Sequence, residues 1–171
     1  GHVIAGDARA VVALCRAAGI ARVDYVLTSP PYWDMLRHSR GNVHSVHRRR
    51  RDRGLPTCYS DDPRDLGNLG DYQEYLAAVT DILAALRSLL APGRYLTVVA
   101  QNVRDPAGEV RRLAWDLAER LARVYTFKGE RIWLQDNKPL GCWGWPSEFV
   151  TNVHHHYCLI FKHDRVEADG K

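Results

Sequence analysis

The sequence predicts an α/β fold built on a mostly parallel sheet, and three observations carry that expectation. Short apolar runs rich in β-branched and aromatic residues alternate with segments of helical periodicity. One run, Val23-Asp24-Tyr25-Val26-Leu27, is stopped by the stretch Thr28-Ser29-Pro30-Pro31-Tyr32-Trp33. Another, Arg94-Tyr95-Leu96-Thr97-Val98-Val99-Ala100, has the composition of a strand buried on both faces.

Taken in order, His2-Val3-Ile4-Ala5 reads as a short strand ended by Gly6-Asp7. Asp7 suits a helix N-cap, and a side chain at that junction also faces the ligand edge of a sheet; the two roles are compatible. Val11, Leu14, Cys15 and Ala18 fall at helical spacing before Gly19, so the first strand, this helix and the Val23 run form a β-α-β unit with parallel pairing. Two consecutive prolines remove two backbone donors, so the second strand must end at Ser29. From Arg37 to Asn68 periodicity disappears, and His38, Arg40, His44, His47 and Arg48-Arg49-Arg50-Arg51-Asp52-Arg53 make the segment strongly basic. It reads either as a phosphate-attracting loop or as a solvated charge run. Asp71 then caps a helix in which Tyr72, Leu76, Val79, Leu83, Leu86 and Leu90 step by four and three until Pro92-Gly93. Gln101-Asn102-Val103-Arg104-Asp105 leaves the next strand at its carboxyl end. Val110, Leu113, Ala114, Leu117 and Leu121 predict another helix, and strands are expected near Glu130-Arg131-Ile132-Trp133-Leu134 and His156-Tyr157-Cys158-Leu159-Ile160-Phe161-Lys162. Between these two, Gly141-Cys142-Trp143-Gly144-Trp145-Pro146-Ser147 is a loop whose tryptophans either stack on a base or close the core.

The 171 residues, 46% of them hydrophobic, are enough for one domain with a real core. A net charge of +4 is compatible with a nucleic-acid partner without requiring one. No apolar run approaches membrane-spanning length, so a soluble, cytoplasmic protein is expected. The four cysteines show no paired spacing and read as reduced, packed thiols. In His154-His155-His156 only the first and third side chains can share a face of an extended segment, and no third ligand follows at a diagnostic spacing; no metal site is expected. The chain opens on Gly1 and enters an apolar run at once, which suggests an excised piece of a longer sequence.

The proline-terminated stretch is a stiff shelf carrying a hydroxyl, carbonyls and aromatic faces at the carboxyl end of a strand, where open α/β sheets bind ligands. An ordinary strand-ending turn has the same residues. One chemistry such a shelf can serve is methylation of an exocyclic amine on a flipped base. The amine lone pair is delocalised into the ring, and acceptors around its hydrogens favour a pyramidal, nucleophilic nitrogen. The Ser29 hydroxyl and the Pro30 carbonyl are such acceptors, and Tyr32 offers a ring.

Val3-Ile4-Ala5-Gly6-Asp7, the helix after it, and the run ending in Thr28-Ser29-Pro30-Pro31-Tyr32-Trp33 together resemble the opening of amino-group DNA methyltransferases. Their catalytic motif is Asp/Asn/Ser-Pro-Pro-Tyr/Phe, and the Ser form is typical of the cytosine-N4 branch. The resemblance extends through the Tyr72 helix and the Pro92-Gly93-Arg94 strand to the His156 strand. It implies a three-layer Rossmann-like sheet, S-adenosylmethionine as methyl donor, and DNA as partner in methylation of the restriction-modification kind. By position Ser29, Pro30, Pro31 and Tyr32 would hold the base. Asp7 and Thr28 would face the cofactor, and Trp33 with Arg48, Arg49, Arg50, Arg51 and Arg53 would face the nucleic acid. Cytosine-C5 enzymes use a Pro-Cys nucleophile; Cys58 follows Thr57 and does not match it.

One departure is large. The family's Phe-x-Gly-x-Gly strand-turn-helix is missing; Gly67-Asn68-Leu69-Gly70 and Gly141-Cys142-Trp143-Gly144 are the nearest glycine pairs, and neither lies between a strand and a helix. Residues 1–171 therefore read as a partial catalytic domain lacking its cofactor-binding strands, with a basic insertion over 37–70 and a frayed tail over 163–171. A missing segment or second subunit is expected to carry the glycine motif. A non-catalytic nucleic-acid-binding module of the same fold, an adenine-N6 enzyme, and a methylase of amides or RNA are the alternatives.

Overall fold

The computed structural model describes residues 1–33, 46–58, 60–105, 108–136, 141–143, 146–147, 150–151 and 153–164. The expectations for Asp34-Met35-Leu36, for His38, Arg40 and His44, for Gly144 and Trp145, and for the tail beyond Asp164 lie outside these residues.

The longest strands are β1 (Val23–Thr28), β2 (Leu90–Ala100), β5 (Thr126–Leu134) and β8 (His155–Lys162). They form a four-stranded sheet in the order β1-β2-β8-β5. β1 and β2 pair in parallel, and β8 is antiparallel to both of its neighbours. Hence β1, β2 and β5 point one way and β8 alone is reversed, so the sheet is mostly parallel in direction although mixed in pairing.

The helices are α1 (Val11–Ala17), α2 (Val46–Asp52), α3 (Tyr72–Ala85) and α4 (Leu113–Leu121). α3 begins where Asp71 accepts a 2.7 Å hydrogen bond from the Glu74 amide, and it buries Tyr75, Leu76, Val79 and Leu83. It connects β1 to β2, so the parallel unit is β1-α3-β2. The helical pattern reaches Leu90 in sequence, but α3 stops at Ala85 and a 3-10 turn spans Leu86–Ser88. Leu89 and Leu90 join the sheet instead, the Val23 amide donating to the Leu89 carbonyl at 2.9 Å. Sheet pairing overrides helical propensity there.

α4 starts at Leu113, later than the sequence pattern suggests, because Val110 belongs to β4 (Val110–Arg111), paired with β3 (Val103–Arg104). The hairpin is closed by Asp105, 4% exposed, which accepts from the Glu109 amide at 2.9 Å and from Arg111 at 2.7 Å. Asn102 Oδ1 takes the Ala114 amide at the head of α4, 3.0 Å away. The tryptophan loop holds the short pair β6 (Cys142–Trp143) and β7 (Val150–Thr151).

Register assigns the sheet residues to two faces. Leu96, Val98 and Ala100 of β2, with Leu159 and Phe161 of β8, are fully buried in one cluster with the apolar rows of α3 and α4. The opposite face carries Tyr25 and Leu27 beside Tyr95 and Thr97, then Ile160, Cys158 and His156, then Trp133. Tyr25 is 54%, Leu27 65% and Trp133 57% exposed. On that face Tyr95 of β2 is 39% exposed but Thr97 only 7%, so β2 is buried on both faces at its middle alone; β1 is half exposed, and α3 and α4 supply one covering layer. A three-layer arrangement would need a second layer on the exposed face.

Three expectations change here. Residues His2-Val3-Ile4-Ala5 are not a strand: they have no pairing partner among the described residues, and Val3 is 98% exposed. The basic segment contains a helix. Arginine propagates helix well, and Gly54, at φ +65°, ends α2 with its amide on the Arg51 carbonyl (2.9 Å) and the Leu55 amide on the Arg50 carbonyl (2.8 Å). The tail is held at its first residue. His163, buried, donates its amide to the Arg94 carbonyl at 2.8 Å, and its Nδ1 lies 2.7 Å from the Leu90 carbonyl.

Candidate active site

The shelf lies at the carboxyl end of β1, beside the carboxyl end of β2 and the start of β8. After Thr28 the prolines carry the chain inward, so that Ser29 is exposed while Tyr32 and Trp33 are buried. The turn is held from below: Tyr75 of α3, fully buried, donates its hydroxyl to the Pro31 carbonyl, which also accepts the Trp33 amide at 3.0 Å. Trp33 sits at φ +46°, with its ring edge-on to Tyr72 at 5.1 Å. A non-glycine residue there is strained, and the burial of a large ring offsets the strain.

Tyr32 joins the parts. Its hydroxyl is 2.9 Å from Ser29 Oγ, 3.1 Å from His156 Nδ1 and 3.5 Å from the Val99 carbonyl. Its ring lies 5.7 Å from the His156 imidazole, and the Trp133 ring lies 5.2 Å from that imidazole on the other strand neighbouring it. Burial raises the Tyr32 phenol above its ordinary value, the Ser29 hydrogen bond opposes that, and Cys158 adds to it, so the phenol stays protonated at neutral pH. His155 points to the other face, against Tyr157 at 4.9 Å; burial and then His154 lower its pKa, with Glu130 opposing. Gln101, which follows β2, ties the edge together by donating to the His155 carbonyl at 2.9 Å.

Asp7 does cap, accepting from the Arg9 amide at 2.9 Å at the start of a 3-10 turn, Ala8–Ala10, that leads into α1. That amide, and then the Arg9 guanidinium at 3.2 Å, hold its carboxyl below the usual carboxylate range. Arg9 also reaches the Arg64 carbonyl at 2.7 Å, tying this turn to the chain ahead of α3. Thr28 stands opposite Val98 and therefore on the helix-covered face. Trp33, expected toward nucleic acid, is 8% exposed and packs in the core, because the prolines turn it inward. Arg48, Arg49, Arg51 and Arg53 are exposed, while Arg50 is half-buried and donates to the Pro56 carbonyl at 2.7 Å. No group of three or more metal-ligating side chains comes together among the described residues, and no helix among them is long and apolar enough to cross a membrane. A cleft of about 420 Å³ between α3 and α4, lined in part by Tyr72, Arg111, Asp116 and Arg120, includes none of the shelf residues.

Sequence reasoning singles out Ser29 and Tyr32 and misses His156 and Tyr75. His156 enters it only as a candidate metal ligand. Nothing in the local pattern of either residue signals a partner 124 or 44 positions away.

No family model matches the sequence, and no curated protein matches it. Solved structures do match. Three crystal structures of TTHA0409 from Thermus thermophilus, named a "putative DNA modification methylase", superpose with TM-scores of 0.60, 0.59 and 0.61 at 20%, 21% and 21% identity. The third is a complex with S-adenosyl-L-methionine. They account for 97–98% of this chain, which spans only 54–57% of theirs. At that identity the likeness is one of fold: the chain has the mixed α/β architecture of a little over half of that protein.

Proposed function

We propose that this chain is the base-handling part of an S-adenosylmethionine-dependent DNA amino-methyltransferase, acting on the exocyclic amine of a flipped base, cytosine N4 in preference to adenine N6. The observation that carries the reading is the tethered shelf: Ser29 Oγ is exposed and oriented by Tyr32, and the proline turn is pinned to α3 through Tyr75. Ser29 Oγ and the Pro30 carbonyl accept the two amine hydrogens, which localises the nitrogen lone pair. Such positioning is most of what a direct transfer needs. Tyr32 acts from beneath, through its hydroxyl, and Trp33 supports the turn by packing on Tyr72. The arginines of α2 attract the phosphate backbone.

The residues present do not by themselves fit S-adenosylmethionine, which supplies an electrophilic methyl group when bound. Asp7 is already paired with Arg9, Thr28 is on the covered face, and Gly67 lies in a 3-10 turn (Leu66–Asn68) that follows no strand. The cofactor is accordingly assigned to further polypeptide, in the same chain or a second subunit. Its docking surface is the apolar face bearing Tyr25, Leu27 and Tyr95; the chain's 54–57% span of its solved neighbours leaves a comparable length to cover that face.

The test is transfer of a labelled methyl group to duplex DNA by the polypeptide that includes this segment. Ser29→Ala should lower the rate by about a hundredfold; an undiminished rate removes the shelf from the chemistry. A second reading, a non-catalytic nucleic-acid-binding module, is favoured by the exposed arginines of α2. Retention of DNA without label in the product, at every base, supports that module.

A further inference from the structure

The phenol of Tyr32 bridges an exposed hydroxyl to a buried imidazole, and the chemistry proposed above makes no use of that imidazole. We propose that His156 is the terminal proton acceptor of a relay running from the target amine through Ser29 Oγ and Tyr32 Oη to His156 Nδ1. The proposal rests on the methyltransferase reading and deepens it.

An amine that gains a methyl group carries one proton more than the neutral product, and the neutral product forms only when that proton has left. A serine hydroxyl is too weak a base to keep it. It can pass it on: the amine N–H bond breaks as a bond forms to Ser29 Oγ, the Ser29 hydroxyl proton moves to Tyr32 Oη, and the Tyr32 proton moves to His156 Nδ1. The balance is one proton, with neutral Ser29 and Tyr32 restored and an imidazolium formed. After the product leaves, the proton returns along the same chain to Ser29, which is open to solvent.

Four observations support the direction. The two links, 2.9 and 3.1 Å, are ordinary hydrogen-bond lengths. His156 is 7% exposed, so bulk water does not compete for its Nδ1 as it would at the surface. The Trp133 ring at 5.2 Å is within range to stabilise an imidazolium through its face. Finally, Tyr32 stays a neutral phenol at working pH, able to accept and donate at once. Among the described residues, titratable groups meet this imidazole from more than one element. Tyr32 faces it from the turn after β1, and Cys158 follows it on the same face of β8 with Arg131 of β5 opposite. β2 contributes the Val99 carbonyl to the shared phenol and no charged side chain, while His155 points away and His154 precedes the strand.

His156 acts through Tyr32 and is thus a positioning and relay residue, which calls for a readout that packing alone would not move. The first is the tautomer in residues 1–171, read from imidazole ¹⁵N shifts at neutral pH. Nδ1 should be bare with the proton on Nε2, and Tyr32→Phe should shift the Nδ1 signal; a protonated Nδ1 overturns the relay whatever the activity. The second is the pH profile of single-turnover methyl transfer by the polypeptide that includes this segment. The wild type should lose rate on the acid side as the imidazole fills. His156→Asn keeps a hydrogen bond to Tyr32 without a usable base, and should lower the rate roughly tenfold to a hundredfold with that acid limb gone. A rate and acid limb unchanged in His156→Asn overturn the proposal. If the wild type transfers no methyl group at any pH, the enzymatic reading fails with it, and a bare Nδ1 then records a hydrogen-bond chain without that use.

Discussion

The two faces of the sheet are covered unequally where β1, β2 and β8 run side by side. On the helix-covered face Leu96, Val98, Leu159 and Phe161 are 0% exposed, while on the other Tyr25 and Leu27 remain 54% and 65% exposed. Tyr25, Leu27 and Trp133 on the open side are as large and largely apolar as the covered residues. The difference lies in what covers them, and it teaches that hydrophobic patterning in this chain anticipates a layer that the described residues do not supply. The shelf stands where the two regimes meet, rooted in the covered side through Tyr75 and facing the open side through Tyr32 and His156.

The contrast can be broken hardest on the covered face. Phe161→Ala should cost about 3–5 kcal/mol, because α3, α4 and the sheet close around that ring and cannot collapse onto the cavity; denaturant unfolding of the chain reads it directly. Next comes pH. Burial pushes the Tyr125 phenol, which donates to the Leu83 carbonyl at 2.8 Å, up to about 12, with Arg87 opposing. A raised phenol pKa gives stability that is whole below about 10 and is lost as pH climbs from there through about 12. Unfolding titrations should lose about 2 kcal/mol over that window, and Tyr125→Phe should flatten the loss. Tyr75→Phe should cost about 1 kcal/mol, since Pro31 keeps the Trp33 amide as a partner. It should lower methyl transfer by more than its effect on stability implies, because it loosens the shelf. The smallest effect sharpens the comparison most. Leu27→Ser should leave stability of this chain alone within about 0.5 kcal/mol, yet weaken association with the cofactor-binding polypeptide in sedimentation or calorimetry. Equal association by the variant would separate the open face from docking.

Much of this was legible in the residues because it is local. The Val23 run, the Arg94 run and the α3 periodicity announce themselves within single windows, and the two prolines fix where β1 stops. What was not legible depends on partners. His2-Val3-Ile4-Ala5 has a strand's composition but no neighbour to pair with among the described residues, and composition cannot report that. Val110 fits a helical register until Asp105 draws Arg111 into a hairpin. Trp33, expected to face the nucleic acid, is a core residue, because the orientation of a ring after two prolines depends on the helix beneath it. In the candidate site, Ser29 and Tyr32 lie within a short motif, whereas Tyr75 and His156 arrive from other elements with nothing in their own surroundings to mark them.

The position of β8 has a consequence for how the chain is made. It is the last strand synthesised among the described residues, yet it lies between β2 and β5 and is the one partner of β5 within the described sheet. While the ribosome is still short of residue 155, β1 and β2 can pair but β5 has nothing to hold, and Tyr32 has no His156 to meet. Sheet closure and completion of the shelf are thus one late event, and a chain cut before β8 should expose β5 to the cell's proteases and chaperones.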